Sequence, residues 1–512
     1  MCYMLAAGKK ATADGSVMVA RSCDANSTET QQIFSVPRKK HTRGSMLRIP
    51  DSNNLVLAQV EETYAYTAVQ RFTPGNDLYL VSGGINEFQV SVGASTGGWV
   101  KPEVEALTPW PDTVVGDYVM TLALERCKTA REAVLWLGDI TEKYGARTDN
   151  YIVSDMHEAW LFEQYQGYHW AAARVPDDCF VVEANSFRLA EIDPDDPENY
   201  LCDPDLIPFA IKHGLWDPNS GQVFHASRAY STNELNRPRA GHPQPYYSLH
   251  RIWRGISMLN ANLDLELYEP SKEYPLFVKP DRKLTPADFL EVMKDDYSGT
   301  ELDEYHAQNE DYPTVVNPVT GHYRLAPVWG KSRIIGCPQT VTSWVVQSRD
   351  WLPNGIGGLL WAGLAASWAS PHLPFYACNT RTPAAFQKGY AGKASAYDKD
   401  SAYWKFEVIT NLVTLFYQGT QDLVKPVWKA FEDQLFSQQN VVEETALGLH
   451  KEAPELAAEY LTTTSFANAQ LALARAEEMI AELHFRIASL NNPQTSRAYE
   501  DPRTWDLNDR VY

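Results

Sequence analysis

The sequence predicts an α+β chain in which antiparallel sheets are covered by helices and a helical C-terminal extension follows. Three observations carry this. Short β-rich runs joined by turn-length connections fill much of the first 185 residues, two helical stretches stand between two sets of those runs, and from Ser401 onward the pattern turns helical. Strands, then helices, then strands again point to sheet layers rather than to a βαβ alternation.

Taken in order, an apolar run opens the chain from Cys2 to Gly8, and a second runs from Val17 to Ala20 and ends in Arg21-Ser-Cys-Asp24. Between them lies Asp14-Gly15, a pair that tolerates positive φ and signals a hairpin. Strand-like runs follow at 55–60, 65–70, 78–82 and 87–93. Amphipathic periodicity predicts helices over Gly116–Cys127 and Ala130–Tyr144, then strands over Tyr151–Ser154, Ala159–Tyr165, His169–Val175 and Phe180–Glu183. Segments 191–245 and 269–285 are rich in Pro, Asp, Asn and Gly and read as connections or insertions. A helix is expected from Pro286 to Lys294, with Asp295-Asp296-Tyr-Ser-Gly299 as its polar C-terminal turn. The helical remainder divides into Trp404–Gln418, Leu423–Gln438 and a stretch from Val442 to Leu490 broken near Pro454, expected to pack on the core or on a neighbouring subunit.

Composition narrows the function classes. A chain of 512 residues with 44% apolar content has enough material for a sizeable core. A net charge of −20 repels polyanions, so nucleic acid is not an expected partner. No run reaches the ~18 to 20 apolar residues of a membrane span, and the start lacks the zones of a signal peptide, so the expected address is cytoplasmic. Seven cysteines, irregularly spaced and without a Cys-x-x-Cys pair, fit a reducing compartment. Phosphate-binding Gly-x-x-x-x-Gly-Lys, zinc-type His-Glu-x-x-His and Gly-x-Ser-x-Gly are all absent, and no histidine pair stands at metal-ligand spacing, so no cofactor and no metal are expected.

Cys2 directly follows the initiator methionine. Methionine is usually trimmed before a small residue, so a mature chain would begin with a cysteine carrying both a thiol, of pKa about 8.5, and an α-amino group, of pKa about 7.7 to 8.0. That is a nucleophile and a base on one residue. From position alone, Cys2 reads as a small apolar residue in a first strand. The hairpin, however, returns Arg21 and Asp24 to the start of the chain, where a guanidinium stabilises a thiolate and a carboxylate holds an ammonium group. A plain strand-end ion pair is the alternative. Cys23 lacks the amine and, sharing a face with Arg21, reads as a packing residue.

Cys2, Asp14-Gly15-Ser16 and Arg21-x-x-Asp24 resemble the amino-terminal signature of the dipeptidase A and secernin family of N-terminal nucleophile cysteine hydrolases, relatives of the bile salt hydrolases and penicillin V acylases. Further segments match in order: Gly84 to Val90, Glu183-Ala-Asn185, Leu249-His-Arg251-Ile-Trp-Arg254, Asp295 to Thr300, and Leu352 through Trp361 to Tyr376. The likeness covers roughly residues 2 to 380.

The resemblance implies a four-layer αββα sandwich over 2–395, with 396–512 as the helical extension. It implies a cysteine-type dipeptidase whose Cys2 attacks the amide carbonyl, acting on small peptides as its partners. As oxyanion donors it implies the Asn185 side-chain amide and the backbone N–H near Thr96, where the bile salt hydrolases carry asparagine. Without the family, Asn185 is a turn residue. Arg251 aligns with the arginine that supports the nucleophile, with Arg254 as the competing assignment on the same helical face. Asp295 or Asp296 offers an ammonium contact as the alternative to a structural turn. A longer propeptide is not expected. Two other functions share the pattern: an acylase for N-acyl compounds, and a secernin-like regulatory protein without hydrolysis.

Overall fold

In the computed structural model, residues 2–490 are described apart from 51, 54, 73–77, 109, 112–113, 233–247, 268–272, 304–313, 318–320, 325–332 and 390–395. The expected domain boundary at 395, the last residues of the extension, and parts of the connections at 191–245 and 269–285 lie outside the described residues.

Mixed helix and antiparallel sheet make up the fold. Fifteen strands form its two large sheets: β1 (Cys2–Ala7), β2 (Val17–Asp24), β3 (Gln32–Val36), β4 (Tyr66–Phe72), β5 (Leu80–Asn86), β6 (Ser91–Thr96), β7 (Asp149–Ser154), β8 (Ala159–Gln164), β9 (Trp170–Arg174), β10 (Phe180–Glu183), β11 (Tyr200–Cys202), β12 (Phe277–Val278), β13 (Thr340–Ser348), β14 (Leu359–Leu364) and β15 (Leu373–Tyr376). One sheet runs β12-β10-β1-β2-β13-β14-β15 and the other β11-β9-β8-β7-β6-β5-β4-β3. Neighbouring strands are antiparallel throughout both.

The β1–β2 hairpin occupies the middle of the seven-stranded sheet, and both strands are buried along their whole length. Its connection turns where the sequence signalled: Gly15 takes φ +85°, and the Asp14 carboxylate accepts from Ser16 N at 3.0 Å and Ser16 Oγ at 2.6 Å. β1, β2 and β13 of this sheet face β5 to β8 of the other. Glycines make the close approach possible: a Cβ on Gly93 of β6 would stand 2.8 Å from the Trp344 ring of β13 and 3.2 Å from Arg21 Cδ.

Helices α1 (Tyr118–Arg126) and α2 (Ala130–Tyr144) pack on the eight-stranded sheet. α2 starts where Thr129 caps it, the Thr129 side chain accepting from Glu132 N. On the seven-stranded sheet lie α3 (Leu249–Leu259) and α4 (Pro286–Met293), the latter opened by a Thr285–Asp288 capping box. The C-terminal helices α5 (Ala402–Leu415), α6 (Tyr417–Glu452) and α7 (Pro454–Leu490) share one apolar core with that sheet.

Several local expectations differ from the structure, among them the segment 191–245, read as a connection, which carries β11 and short helices over Leu206–Lys212 and Ala226–Tyr230. The run 87–93 is not one strand: residues 87–90 hold the turn between β5 and β6, with Gln89 at φ +67° and Asn86 Oδ1 accepting from Phe88 N and Val90 N at 3.0 and 2.9 Å, and only 91–93 are extended, as the start of β6. No helix break occurs between 438 and 442, because α6 is one 36-residue helix that runs through Pro426 and on to Glu452. The polar stretch Ser437 to Asn440 continues the helix between turns anchored by the buried Leu435 and Ala446.

Candidate active site

Cys2 is the first residue of β1, directly opposite Cys23 on β2. Side chains on paired strands share a face at such positions, and Arg21, two residues before Cys23, shares it too. Arg21 Nη2 lies 3.3 Å from Cys2 Sγ and 3.6 Å from Cys23 Sγ. Its Nη1 is anchored by Ser82 of β5, to the carbonyl and, at 2.7 Å, to Oγ. The Cys2 thiol is held well below its ordinary value: the hydrogen bond with Cys23 is the largest cause, and the Arg21 charge adds to it against the opposing effect of burial. The Cys23 side chain is buried, as packing implies, but it also lies within the sulfur–guanidinium cluster. Alternation carried that signal, since the face Cys23 shares with Arg21 is also the face of Cys2.

The backbone nitrogen of Cys2, a peptide nitrogen while Met1 is attached, donates to Asn185 Oδ1 at 3.2 Å. Asn185 follows the end of β10 at φ +56°, a conformation that asparagine tolerates better than most residues. Its Oδ1 also accepts from Arg251 Nη2 at 3.0 Å, and its Nδ2 donates to Thr96 O at 2.8 Å. Because a guanidinium only donates and a carbonyl only accepts, these partners fix which way the amide faces. One Nδ2 hydrogen serves Thr96; a primary amide has a second.

Arg251, buried on α3, completes this group by donating to Cys2 O at 3.0 Å and to Ala184 O at 3.3 Å. Arg254 goes elsewhere: its Nε and Nη2 grip the Asp295 carboxylate at 2.7 to 3.0 Å. Asp295 also accepts from Tyr297 N, while Asp296 accepts from Ser298 and from Lys425 Nζ of α6 at 2.5 Å. These two acids thus form a turn at the end of α4.

Thr96 enters through its carbonyl, and its side chain is exposed. Opposite it in register stands Asp149, whose carboxyl is raised to about 7 by burial and by the nearby charge of Asp117. The Asp24 carboxylate accepts from Arg333 Nη2 at 2.6 Å and from Thr340 Oγ1 at 2.7 Å. Strand alternation puts it on the face of β2 opposite Arg21 and Cys23. The structure therefore gathers Cys2, Arg21, Asn185, Thr96 and Arg251 into one contact network and gives Asp24 other partners.

Sequence reasoning missed Arg333, which lies 309 residues from Asp24, and the buried acid Glu183 beneath Asn185. Among the described residues no group of three or more His, Cys, Asp or Glu is arranged to hold a metal ion, and no helix is long and apolar enough to cross a membrane.

A family model described as peptidase family C69 matches residues 1–430 and ends within α6. A probable dipeptidase of Latilactobacillus sakei is 28% identical over 421 residues, which is 81% of this chain and 81% of its own. Another, of Salmonella dublin, is 28% identical over 397 residues, covering 77% of this chain and 85% of its own. Among solved structures, a mutant conjugated bile acid hydrolase of Clostridium perfringens aligns with 78% of this chain and 98% of its own, at 12% identity and a TM-score of 0.33.

Proposed function

Since the chain belongs to peptidase family C69, we propose that it hydrolyses the amide bond of dipeptides with the Cys2 thiolate as nucleophile, on a four-layer αββα sandwich of the N-terminal nucleophile type. The observation that carries this reading is the placement of two groups on one residue: Arg21 Nη2 stands 3.3 Å from the Cys2 sulfur while Asn185 Oδ1 stands 3.2 Å from its nitrogen. Removal of Met1 turns that nitrogen into an amine without moving its acceptor.

The thiolate, stabilised by Arg21, attacks the scissile carbonyl carbon and forms a C–S bond. Negative charge develops on the carbonyl oxygen, where the second Nδ2 hydrogen of Asn185 and the backbone N–H near Thr96 act as donors. Arg251 bonds both Cys2 O and Asn185 Oδ1, and so keeps donor and nucleophile in register. The protonated α-amino group gives its proton to the leaving nitrogen as the C–N bond breaks. It then takes a proton from water, whose oxygen attacks the thioester and releases the thiolate. Asp24 acts indirectly, through Arg333 and Thr340, by holding the end of β2.

The test is intact mass before and after stoichiometric iodoacetamide, with turnover of free and N-acetylated dipeptides followed on the same samples. Loss of Met1, alkylation mapped to Cys2 and parallel loss of free-dipeptide hydrolysis are expected. Retained Met1 in an active enzyme, or full activity after Cys2 is blocked, would overturn the mechanism. Activity on blocked substrates alone would replace the dipeptidase with an acylase.

A further inference from the structure

Glu183, the last residue of β10, is fully buried between the two sheets. Three donors from separate elements converge on its carboxyl group. Oε1 accepts from Asn150 Nδ2 of β7 at 2.9 Å and from Ser186 N at 3.0 Å, while Oε2 accepts from Ser95 Oγ of β6 at 2.5 Å. Asn150 Nδ2 also donates to Ser186 O at 2.8 Å, which closes the loop around Asn185 from both sides. Asn150, Ser95 and Ser186 are likewise buried, so water cannot substitute for any of these bonds.

Two of those donors neighbour the groups that the proposed reaction needs. Ser95 precedes Thr96 on β6, and Ser186 follows Asn185. The seven-stranded sheet supplies Asn185, the eight-stranded sheet supplies Thr96, and no covalent link shorter than 89 residues joins them. Asn185 in turn stands at φ +56°, a conformation that persists where surrounding contacts over-determine it.

We infer that Glu183 is a positioning residue: by tying Ser95 to Ser186 across the sheets it fixes the distance between the Asn185 amide and the Thr96 peptide, and thereby the width of the oxyanion pocket. The inference rests on the hydrolytic reading of that site. A carboxyl group suits this position because its two oxygens present several acceptor sites to three donors that arrive from different directions, and those donors oppose the burial that raises Glu183 to about 7. Glutamine retains an oxygen for Asn150 and Ser186, and its amide donates to the Ser95 hydroxyl, which rotates to accept. Alanine leaves Ser186 N without its acceptor, Asn150 Nδ2 with the Ser186 carbonyl alone and Ser95 Oγ with only the longer contact to Thr96 O at 3.4 Å.

The experiment compares Glu183→Ala, Glu183→Gln and the parent enzyme in steady-state turnover of free and N-acetylated dipeptides, alongside the rate at which iodoacetamide modifies Cys2. Displacement of a reacting group by about 1 Å costs up to about 100-fold, so Glu183→Ala is expected to lower kcat by about that factor with KM little changed. Its alkylation rate stays at the parental value, because Arg21 and Cys23 activate the sulfur independently of Glu183. Glu183→Gln restores kcat to within about threefold of the parent. Parental kcat in Glu183→Ala, or loss of thiol reactivity together with turnover, would overturn the positioning role. If Glu183→Ala does not fold, Ser95→Ala cuts only the tie to β6 and is expected to lose about tenfold in kcat; an unchanged kcat there overturns the inference. Turnover of neither substrate class by the parent enzyme would instead refute the hydrolytic reading itself.

Discussion

Replacing Glu432 with glutamine probes how α6 is fastened to the catalytic sheets. Glu432 is buried, and its Oε1 accepts from His372 Nδ1 at 2.8 Å and from His372 N at 2.9 Å, while Oε2 pairs with Lys294 at the end of α4. His372 passes the contact on to Ser343 of β13, whose hydroxyl lies 2.8 Å from its Nε2. Burial works against the charge, but Lys294 and His372 overcome it and hold the carboxyl at about 2, against an ordinary value of 4.5. A folded-state pKa below the unfolded one contributes stability above the unfolded value, and loses it as pH falls from about 4.5 toward about 2. A gap of about 2.5 units at about 1.36 kcal/mol per unit amounts to roughly 3 kcal/mol at neutral pH. Glu432→Gln removes the charge while leaving an oxygen for His372, so it isolates the electrostatic part and leaves the partly buried Lys294 ammonium without its carboxylate. With an unfolding entropy of about 2.1 cal/mol/K per residue over a chain of this length, the melting midpoint falls by about 3 °C. Thermal scans of parent and variant at neutral and acid pH provide the check. The two curves are expected to converge as the pH drops below about 4.5, since protonation then does to the parent what the substitution does at every pH. Equal midpoints at pH 7, or a difference that widens in acid, would refute the argument.

Two further outcomes follow from the site. The Cys2 thiol, lowered by Cys23 and Arg21, is expected to react with iodoacetamide along a pH profile whose midpoint lies well below that of an ordinary cysteine, and Cys23→Ala should move that midpoint upward; a midpoint at the ordinary cysteine value in the parent counts against the sulfur–guanidinium cluster. Arg251 and Arg254 separate by assay: Arg251→Lys is expected to cut kcat by about 100-fold through misplacement of Cys2 and Asn185, whereas Arg254→Lys costs about 1 to 3 kcal/mol of stability through its lost two-pronged bond to Asp295 and leaves kcat at the parental level. The reverse pattern in kinetics and melting would exchange the two roles.

What could be read from the sequence, and what could not, divides along the range of the interactions concerned. Asp14-Gly15 announced the hairpin, and strand alternation then placed Arg21 beside Cys2, because pairing register converts a short sequence separation into a known direction in space. Amphipathic periodicity announced α2, which is likewise local, and Thr129 caps its start within a single turn. The turn at Gln89 stayed hidden because Glu87-Phe-Gln-Val90 alternates polar and apolar residues as a half-buried strand does, and only the side chain of Asn86, which bonds the turn from within, sets it apart. Sequence periodicity describes one element at a time, whereas the choice between Arg251 and Arg254 depends on what faces each of them across other elements. Asp295, 41 residues further on, engages Arg254, and this leaves the buried end of α3 with Arg251 as the donor that reaches Cys2. Glu183 and Arg333 belong to the same class. Each gains its meaning from partners dozens to hundreds of residues away: Ser95 and Asn150 reach Glu183 only when one sheet closes on the other, an approach that depends on glycines such as Gly93 leaving room for Trp344, and Arg333 reaches Asp24 from the connection that precedes β13. The place of Arg21 beside Cys2 was therefore legible from the hairpin, while the other partners of Asp24 and the groups that hold the opposing wall of the site became visible only with the packing of the whole fold.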